Sequence, residues 1–403
     1  MEITGFVSKG SLLFAVALVI SLSLFSQDKT NIQDEFALQD SEISMLVEIL
    51  SSHRLYKDSM NEKEFLYSVL SGMVRSLDHK HAGVLKQYQY PWHFTSAASE
   101  QSDSGMILGT DDYGRFVVSS VLPGSPAETA RINKGDLLLR IGNVNTSGAS
   151  LWELMPLLNA RKGASILLFL ETPGEEPRES ILKIDSYQVE TVTLKRGRLV
   201  RGKWKDDEEG PVAWIKIHSF LGENTLDEWD RTVEVIQNSS TVRRLIIDLR
   251  DNGGGDNSCI RLLGDFFRSS DVLVRFEYLL GEGAREEVVL NSMSPRSRLM
   301  TYPAVVLINE NTASMAEISA MALRDNRSVL LVGETSYGKG TTQTWLNLAE
   351  DFAIHLTLGK WYSPKGTSVE GIGIEPDFIR EDNPRKKGDE QLNTALALLW
   401  EGL

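Results

Sequence analysis

The feature that most constrains the fold is an alternation of apolar runs and amphipathic stretches that begins near residue 211. Four short runs, residues 214–217, 245–249, 304–308 and 329–332, are almost wholly apolar. Residues 226–236 and 391–400 instead repeat apolar side chains at helical spacing. Continuous apolar runs separated by helices are typical of strands in a parallel sheet covered on both faces. This part of the chain therefore predicts an α/β fold.

The chain ahead of residue 211 has a different character. Between residues 102 and 188, short β-type runs with glycine turns and two short helices predict a small β-rich module. Residues 32–98 carry apolar side chains at helical spacing and predict an N-terminal helical segment. At roughly 100–200 residues per domain, a chain of 403 residues has room for these modules.

The N-terminus carries the apolar run SLLFAVALVISLSLF at residues 11–25. A run of about 15 residues fits a signal-peptide core better than a full bilayer span. Residues 1–27 are thus expected to be a signal peptide or a signal anchor, and both alternatives stay open. Export combined with a single cysteine, Cys259, favours a bacterial envelope. The expected location is the periplasm, free or anchored in the inner membrane through residues 11–25.

Charge and cysteine content exclude several classes of protein. The net charge is −14 and no long basic block is present, which argues against nucleic acid as the main partner. One cysteine allows neither an intrachain disulfide nor a cysteine-based zinc cluster. We therefore expect no metal site and no nucleic-acid partner.

Two segments that follow apolar runs carry residues suited to stabilising negative charge. The run 245–249 leads into three consecutive glycines, Gly253 to Gly255, which allow close backbone approach to a ligand. The run 304–308 leads to Ser314 at a predicted helix start, where amides and the helix dipole favour an oxyanion. Ser314 and Glu317 also form a capping-box pattern, an equally compatible structural explanation.

A third segment, GETSYGKGTTQT at residues 333–344, contains the Gly-x-x-x-x-Gly-Lys core of a phosphate loop. An NTPase is therefore an alternative. Gly340 stands where that loop needs Ser or Thr, and the β-branched residues that follow predict a strand instead of a helix.

If that strand extended back to Lys339, the side chains of Lys339 and Gln343 would lie on the same face of the strand. A lysine accepts a proton only when its amine is neutral, which requires a lowered pKa.

Taken in order, Asp-Leu-Arg with its glycine loop, Thr-Ala-Ser-x-x-Glu and Gly-Lys-Gly-x-x-Gln resemble the C-terminal processing, or tail-specific, serine proteases. Lys339 lies 25 residues after Ser314, as in that family. The resemblance implies that Ser314 is the nucleophile, Lys339 the general base and Gln343 the residue that positions Lys339. It also implies an oxyanion hole built from the amides of Gly253 and Met315, with no metal or organic cofactor.

The resemblance implies a fold as well. Residues 189–403 would form an α/β protease core related to the crotonase/ClpP spiral, and residues 102–188 an inserted PDZ domain. In that family the PDZ domain binds substrate C-termini by strand addition. Gly105, Met106, Ile107 and Leu108 would form the loop that holds the terminal carboxylate. Arg131 stands where the family has glycine, which predicts a non-glycine residue in a left-handed cap.

The function implied is a serine endopeptidase with a Ser/Lys dyad that cleaves at or near the C-terminal region of envelope proteins. Its partners would be protein or peptide substrates with free C-termini, and both a monomer and an oligomer are compatible with the sequence. The alternative is a catalytically inactive PDZ-containing binding or scaffold protein. The presence of Ser314, Lys339 and Gln343 together favours the enzyme.

Overall fold

The computed structural model describes eleven stretches of the chain: residues 62–77, 82–86, 100–101, 104–111, 113–149, 151–158, 160–279, 284–292, 296–348, 352–381 and 388–401. The predicted leader at residues 1–27 lies outside these stretches. Contacts divide the chain into two compact units. The first comprises residues 1–90, 277–287 and 342–359, and the second the remainder.

The described helices are α1 (Glu62–Leu77), α2 (Pro126–Thr129), α3 (Leu151–Leu158), α4 (Gly222–Asn238), α5 (Ser258–Leu263), α6 (Met315–Arg327) and α7 (Glu390–Glu401). The strands are β1 (Gly83–Lys86), β2 (Glu100–Gln101), β3 (Met106–Thr110), β4 (Phe116–Val121), β5 (Leu137–Ile141), β6 (Val144–Asn145), β7 (Ser165–Glu171), β8 (Arg178–Lys183), β9 (Tyr187–Gln188), β10 (Val192–Val200), β11 (Lys203–Asp206), β12 (Val212–Ile217), β13 (Arg244–Asp248), β14 (Val272–Leu279), β15 (Arg285–Asn291), β16 (Ala304–Ile308), β17 (Leu330–Gly333), β18 (Thr341–Leu348), β19 (Phe352–Tyr362) and β20 (Phe378–Ile379).

The first unit contains α1, β1 and parts of four longer strands. Its sheet has the order β1-β19-β14-β15, with β18 also paired to β19. Val74 of α1 packs with Val84 and Phe352 in a small apolar cluster. The expectation that residues 32–98 are helical is wrong at β1, which pairs antiparallel with β19 from Gly83 opposite His355. Its pairing partner lies far along the chain, where local periodicity cannot reveal it.

The β-rich part of the second unit forms a sheet in the order β3-β4-β5-β7-β8, with β6 paired to β5. Strand β3 lies at its edge. Leu154 and Leu158 of α3 pack with Leu168 and Leu182 of the sheet in one buried cluster. The left-handed cap predicted at Arg131 is confirmed, since its φ is +57°.

The second sheet of this unit runs β11-β10-β12-β13-β16-β17-β20. Strands β12, β13, β16, β17 and β20 are parallel, while β10 and β11 extend the sheet antiparallel. Helix α7 covers one face by placing Leu392, Leu396 and Leu399 against its buried strands. The predicted α/β core is confirmed, and the loops after β13, β16 and β17 lead into the candidate site.

The described residues contain neither a membrane-spanning helix nor a cluster of metal-binding side chains. None of the described helices combines the length and hydropathy that crossing a bilayer requires. The same stretches contain no group of three or more His, Cys, Asp or Glu side chains arranged to hold a metal ion. The apolar run at residues 11–25 lies outside the described residues.

Candidate active site

Ser314 occupies a tight turn between the buried strand β16 and helix α6. Its φ is +55°, a left-handed value that costs a non-glycine residue energy and persists only where neighbours hold it. Thr312 braces the turn, because its hydroxyl donates to the Leu249 carbonyl and accepts from the Asn309 amide. The predicted helix start at Ser314 is confirmed, with Met315 as the first helical residue.

The glycine loop after β13 packs directly against this turn. A Cβ placed on Gly254 would lie only 2.9 Å from the Ser314 Cβ and 3.1 Å from the Met315 nitrogen. Gly254 also has a φ of +102°, so both space and backbone conformation require glycine there. The Ala313 amide donates to the Asn252 carbonyl and joins the two loops.

The hydrogen bonds of this region distinguish engaged amides from available ones. The Ser314 amide donates to Glu317, and the Gly254 amide donates to the Asn252 side chain at 2.8 Å. Over the described stretches, the amides of Gly253 and Met315 have no acceptor. Both N–H groups are therefore unoccupied, as the donors of an oxyanion hole must be.

Lys339 lies in a loop whose backbone is held on both sides. Its amide donates to Glu317 Oε2 at 2.9 Å, and its carbonyl accepts from Trp361 Nε1 at 2.8 Å. The next amide, of Gly340, donates to Glu370 Oε2 at 2.7 Å. The loop backbone is thus fixed whichever way the lysine side chain turns.

Strand β18 begins at Thr341 and does not extend back to Lys339. Gly338 has a φ of +85°, a conformation that interrupts an extended strand before Lys339. Alternation therefore says nothing about which way Lys339 points. The phosphate-loop alternative fails on the same observation, since a strand follows the loop where that motif requires a helix.

The structure brings the backbones of Ser314 and Lys339 together. Both amides donate to the same oxygen of Glu317, so they lie within two hydrogen-bond lengths of each other. The hydrogen bonds among described residues do not include one from the Ser314 hydroxyl to the Lys339 amine. Gln343 belongs to the first unit, where its Nε2 donates to Thr357 Oγ1 at 3.3 Å. Its predicted role toward Lys339 stays a prediction.

The four residues predicted to bind a substrate carboxylate lie at the start of β3. Gly105 is left-handed, with φ +69°, and a Cβ there would overlap Ser125. The Met106 amide donates to Ser104 Oγ at 3.2 Å. Leu108 packs on the core of the β-rich module. The Ile107 Cγ2 lies 3.6 Å from a Cβ placed on Gly253, so this segment borders the glycine loop.

A charged contact also joins the β-rich module to the loops of the site. Lys134 Nζ lies 2.6 Å from Asp251 Oδ1 and 3.2 Å from Glu310 Oε1. Burial opposes the lysine charge, but Asp251 and Glu310 outweigh it and raise the Lys134 pKa above its usual value. Asp251 is itself left-handed, with φ +63°, and accepts from Asn309 Nδ2. Sequence reasoning missed this contact because the two segments are 117 positions apart.

His218 follows β12 close to the glycine loop. Burial lowers its pKa to about 4, and the Lys216 charge acts in the same direction, while Asp248 and Asp251 oppose both. Its Nε2 lies 3.1 Å from Thr193 Oγ1. The imidazole is therefore neutral at pH 7, and no hydrogen bond in the described chain links it to Ser314.

Comparison with protein families matches residues 211–380 to Peptidase family S41 and residues 95–168 to the PDZ domain. The first match contains Ser314 and Lys339 together with the glycine loop. The second contains β3, α2 and α3.

Curated relatives and a solved structure agree with these matches. Carboxy-terminal processing protease CtpA of Bacillus subtilis is 28% identical over 85% of this chain and 72% of its own length. The carboxyl-terminal-processing protease of Picosynechococcus is 27% identical over 87% of this chain and 83% of its own. The solved photosystem II D1 C-terminal processing protease superposes with a TM-score of 0.67 at 22% identity, covering 97% and 98% of the two chains, which shows a shared fold. Residues 211–380 are therefore a Peptidase family S41 region and residues 95–168 a PDZ domain, and the curated relatives that this chain resembles are named carboxy-terminal processing proteases.

Proposed function

We propose that this chain is an endopeptidase that uses Ser314 as nucleophile and Lys339 as general base, with Gln343 orienting the lysine. The observation that carries the proposal is the shared carboxylate oxygen that holds the amides of Ser314 and Lys339. Gly254 packs against the same serine, and two unengaged amides lie beside it.

The chemistry follows from these positions. The Ser314 hydroxyl attacks the scissile carbonyl while the neutral Lys339 amine takes its proton. The amides of Gly253 and Met315 donate to the oxygen that becomes negative in the tetrahedral intermediate. Protonated Lys339 then gives its proton to the leaving amine, and water hydrolyses the acyl-enzyme by the same route in reverse.

The PDZ domain is proposed to select substrates by their C-termini. Strand β3 lies at the edge of its sheet, where a peptide can add as a further strand. The segment from Gly105 to Leu108 would hold the terminal carboxylate. Cleavage at or near the C-terminal region of envelope proteins agrees with the names of the relatives and with the apolar run at residues 11–25.

The dyad is tested on an unfolded reporter protein that ends in an apolar tail. Ser314→Ala and Lys339→Ala are each expected to lower kcat at least about 1,000-fold, because a dyad acts as one unit. Lys365→Ala removes an exposed lysine outside the site and is expected to cleave like wild type. Turnover by Ser314→Ala equal to that of wild type would refute the nucleophile, and negligible turnover by both would support the inactive scaffold.

Tail recognition is tested with the same reporter carrying an amidated C-terminus. Removing the terminal charge is expected to raise KM about tenfold or more, because the loop amides then lose their anionic partner. An unchanged KM would mean that the terminal carboxylate is not recognised.

A further inference from the structure

Glu317 is a buried carboxylate at the first turn of α6, and four donors from two segments converge on it. It is 0% exposed. Its Oε2 accepts the Ser314 amide at 2.8 Å and the Lys339 amide at 2.9 Å. Its Oε1 accepts the Ser336 hydroxyl at 2.6 Å and the Gly338 amide at 2.8 Å.

These four hydrogen bonds require the Glu317 carboxylate to be ionised. Both oxygens are occupied by N–H or O–H donors, so a proton on either oxygen would face another donor. Burial raises the Glu317 pKa, and the four hydrogen bonds oppose that rise. Within the described stretches Glu317 forms no ion pair. Fixed backbone and hydroxyl dipoles therefore hold this charge, as in other preorganised sites.

A helix cap alone does not explain the arrangement. In a capping box the Glu317 carboxylate accepts only the Ser314 amide, while the Ser314 side chain accepts the Glu317 amide. The other three donors come from residues 336–339, some twenty positions later in the chain. Ser336 extends the connection, because its hydroxyl also accepts the Ile374 amide at 2.7 Å.

The sharing of Oε2 has a geometric consequence. Because one atom accepts both amides, the serine turn cannot move relative to the lysine loop without breaking a charge-assisted hydrogen bond. The same bond holds Ser314 in its left-handed conformation and keeps its amide away from an incoming oxyanion. Trp361 fixes the Lys339 carbonyl from the opposite side.

We propose that Glu317 is the positioning residue that sets the separation between Ser314 and Lys339 by binding both backbones through one oxygen. This rests on the proposed Ser/Lys dyad. Glu317 touches no substrate in this role. It acts on the rate of the chemical step through the two residues it holds.

The test replaces the carboxylate by its isosteric amide in the full chain. In Glu317→Gln one oxygen becomes an NH2 group that faces two donors, so one pair of contacts is lost. We expect kcat on the unfolded reporter to fall about 100-fold with KM within twofold, as for a misplacement of about 1 Å. Labelling of Ser314 by a fluorophosphonate probe should slow by a similar factor.

Glu228→Gln is the matched control. Glu228 Oε2 accepts the Thr191 amide, the Thr191 hydroxyl and the Val192 amide, so it is also a multiply bonded carboxylate, but one outside the site. Its variant is expected to keep wild-type kcat and labelling rate. If Glu228→Gln lost as much kcat as Glu317→Gln, general destabilisation would explain both losses. That result would overturn the proposal.

Glu317→Asp is the second variant, and it decides the question if Glu317→Gln does not fold. It keeps the charge but is one methylene shorter, so it cannot reach both amides. We expect kcat to fall at least about tenfold at unchanged KM. Wild-type kcat in the Asp variant, or in a folded Gln variant, would overturn the positioning role. Wild-type kcat in Ser314→Ala or Lys339→Ala would instead refute the dyad.

Discussion

His218 shows how burial of one residue links stability to pH. Its pKa of about 4 lies below the ordinary value of 6.5, so between these values the unfolded chain binds a proton that the folded chain does not. Stability therefore rises with pH across this window: the contribution is fully present above about pH 6.5 and is lost as pH falls toward 4. At about 1.36 kcal/mol per pKa unit, the whole contribution is about 3 kcal/mol.

His218→Gln should remove this part of the pH dependence. Between pH 7 and pH 4.5 we expect the variant to lose about 2 kcal/mol less unfolding free energy than wild type, because glutamine does not titrate. Urea denaturation at the two pH values measures the difference. Equal losses in both proteins would mean that the imidazole is protonated in the folded state.

At the scale of elements, the segment before β5 meets the loop after β13 through Lys134. The lysine contacts Asp251 and Glu310, whose loops lead to Gly253 and Ser314. The pair is partly exposed, with 43% of the lysine side chain and 26% of the Asp251 side chain accessible to solvent. Solvent screening limits such a pair to under about 1 kcal/mol, so it stabilises the loop more than the fold.

Lys134→Met should loosen the glycine loop and leave the fold intact. We expect amide hydrogen exchange over residues 251–254 to accelerate about two- to fivefold, with little change in global stability. Lys134→Arg keeps the charge and should exchange like wild type. The side-chain amides of Asn309 and Asn311 also donate to Asp251 Oδ1. Unaltered exchange in the Met variant would show that these two residues hold Asp251 without the lysine.

At the scale of the whole molecule, helix α7 packs on a hydrophobic core whose first residues, such as Leu199, lie nearly 200 positions earlier in the chain. Leu396 of α7 is fully buried against β12, β13, β16 and β17. Arg250 reinforces this closure, since it pairs with buried Asp248 and also donates to Asp389 and Gln391. The parallel sheet therefore depends on α7 for one of its faces.

Leu396→Ala should cost about 2–5 kcal/mol of unfolding free energy, the range for deleting a buried leucine side chain. Thr394→Ala removes a partly buried hydroxyl of α7 that accepts from Arg380 and donates to the Glu390 carbonyl, and should cost no more than about 1.5 kcal/mol. Chemical denaturation of both variants measures the contrast. Similar losses in the two variants would mean that α7 does not close the sheet in solution.

Local patterns were enough to predict the apolar strands. Residues 245–249 and 304–308 are buried on both faces, so their composition alone marks them as strands, and β13 and β16 confirm this. Strands β1, β14 and β19 were not predicted, because the pairs β1-β19 and β19-β14 join segments that are distant in the chain.

The sequence by itself determined the resemblance to C-terminal processing proteases, the α/β core, the glycine loop and the candidate pair Ser314 and Lys339, because these depend on residue type and order. Tertiary structure alone decided what surrounds them. The sequence pattern predicts only that Glu317 caps a helix. Three of the four groups that donate to its carboxylate follow β17, and they reach Glu317 only because β17 pairs with β16. The contact of Lys134 with Asp251 likewise exists only after two modules fold against each other. Hydrogen bonds and ion pairs form between groups that are close in space, and the separation of two residues along the chain does not tell how close they lie in the folded protein.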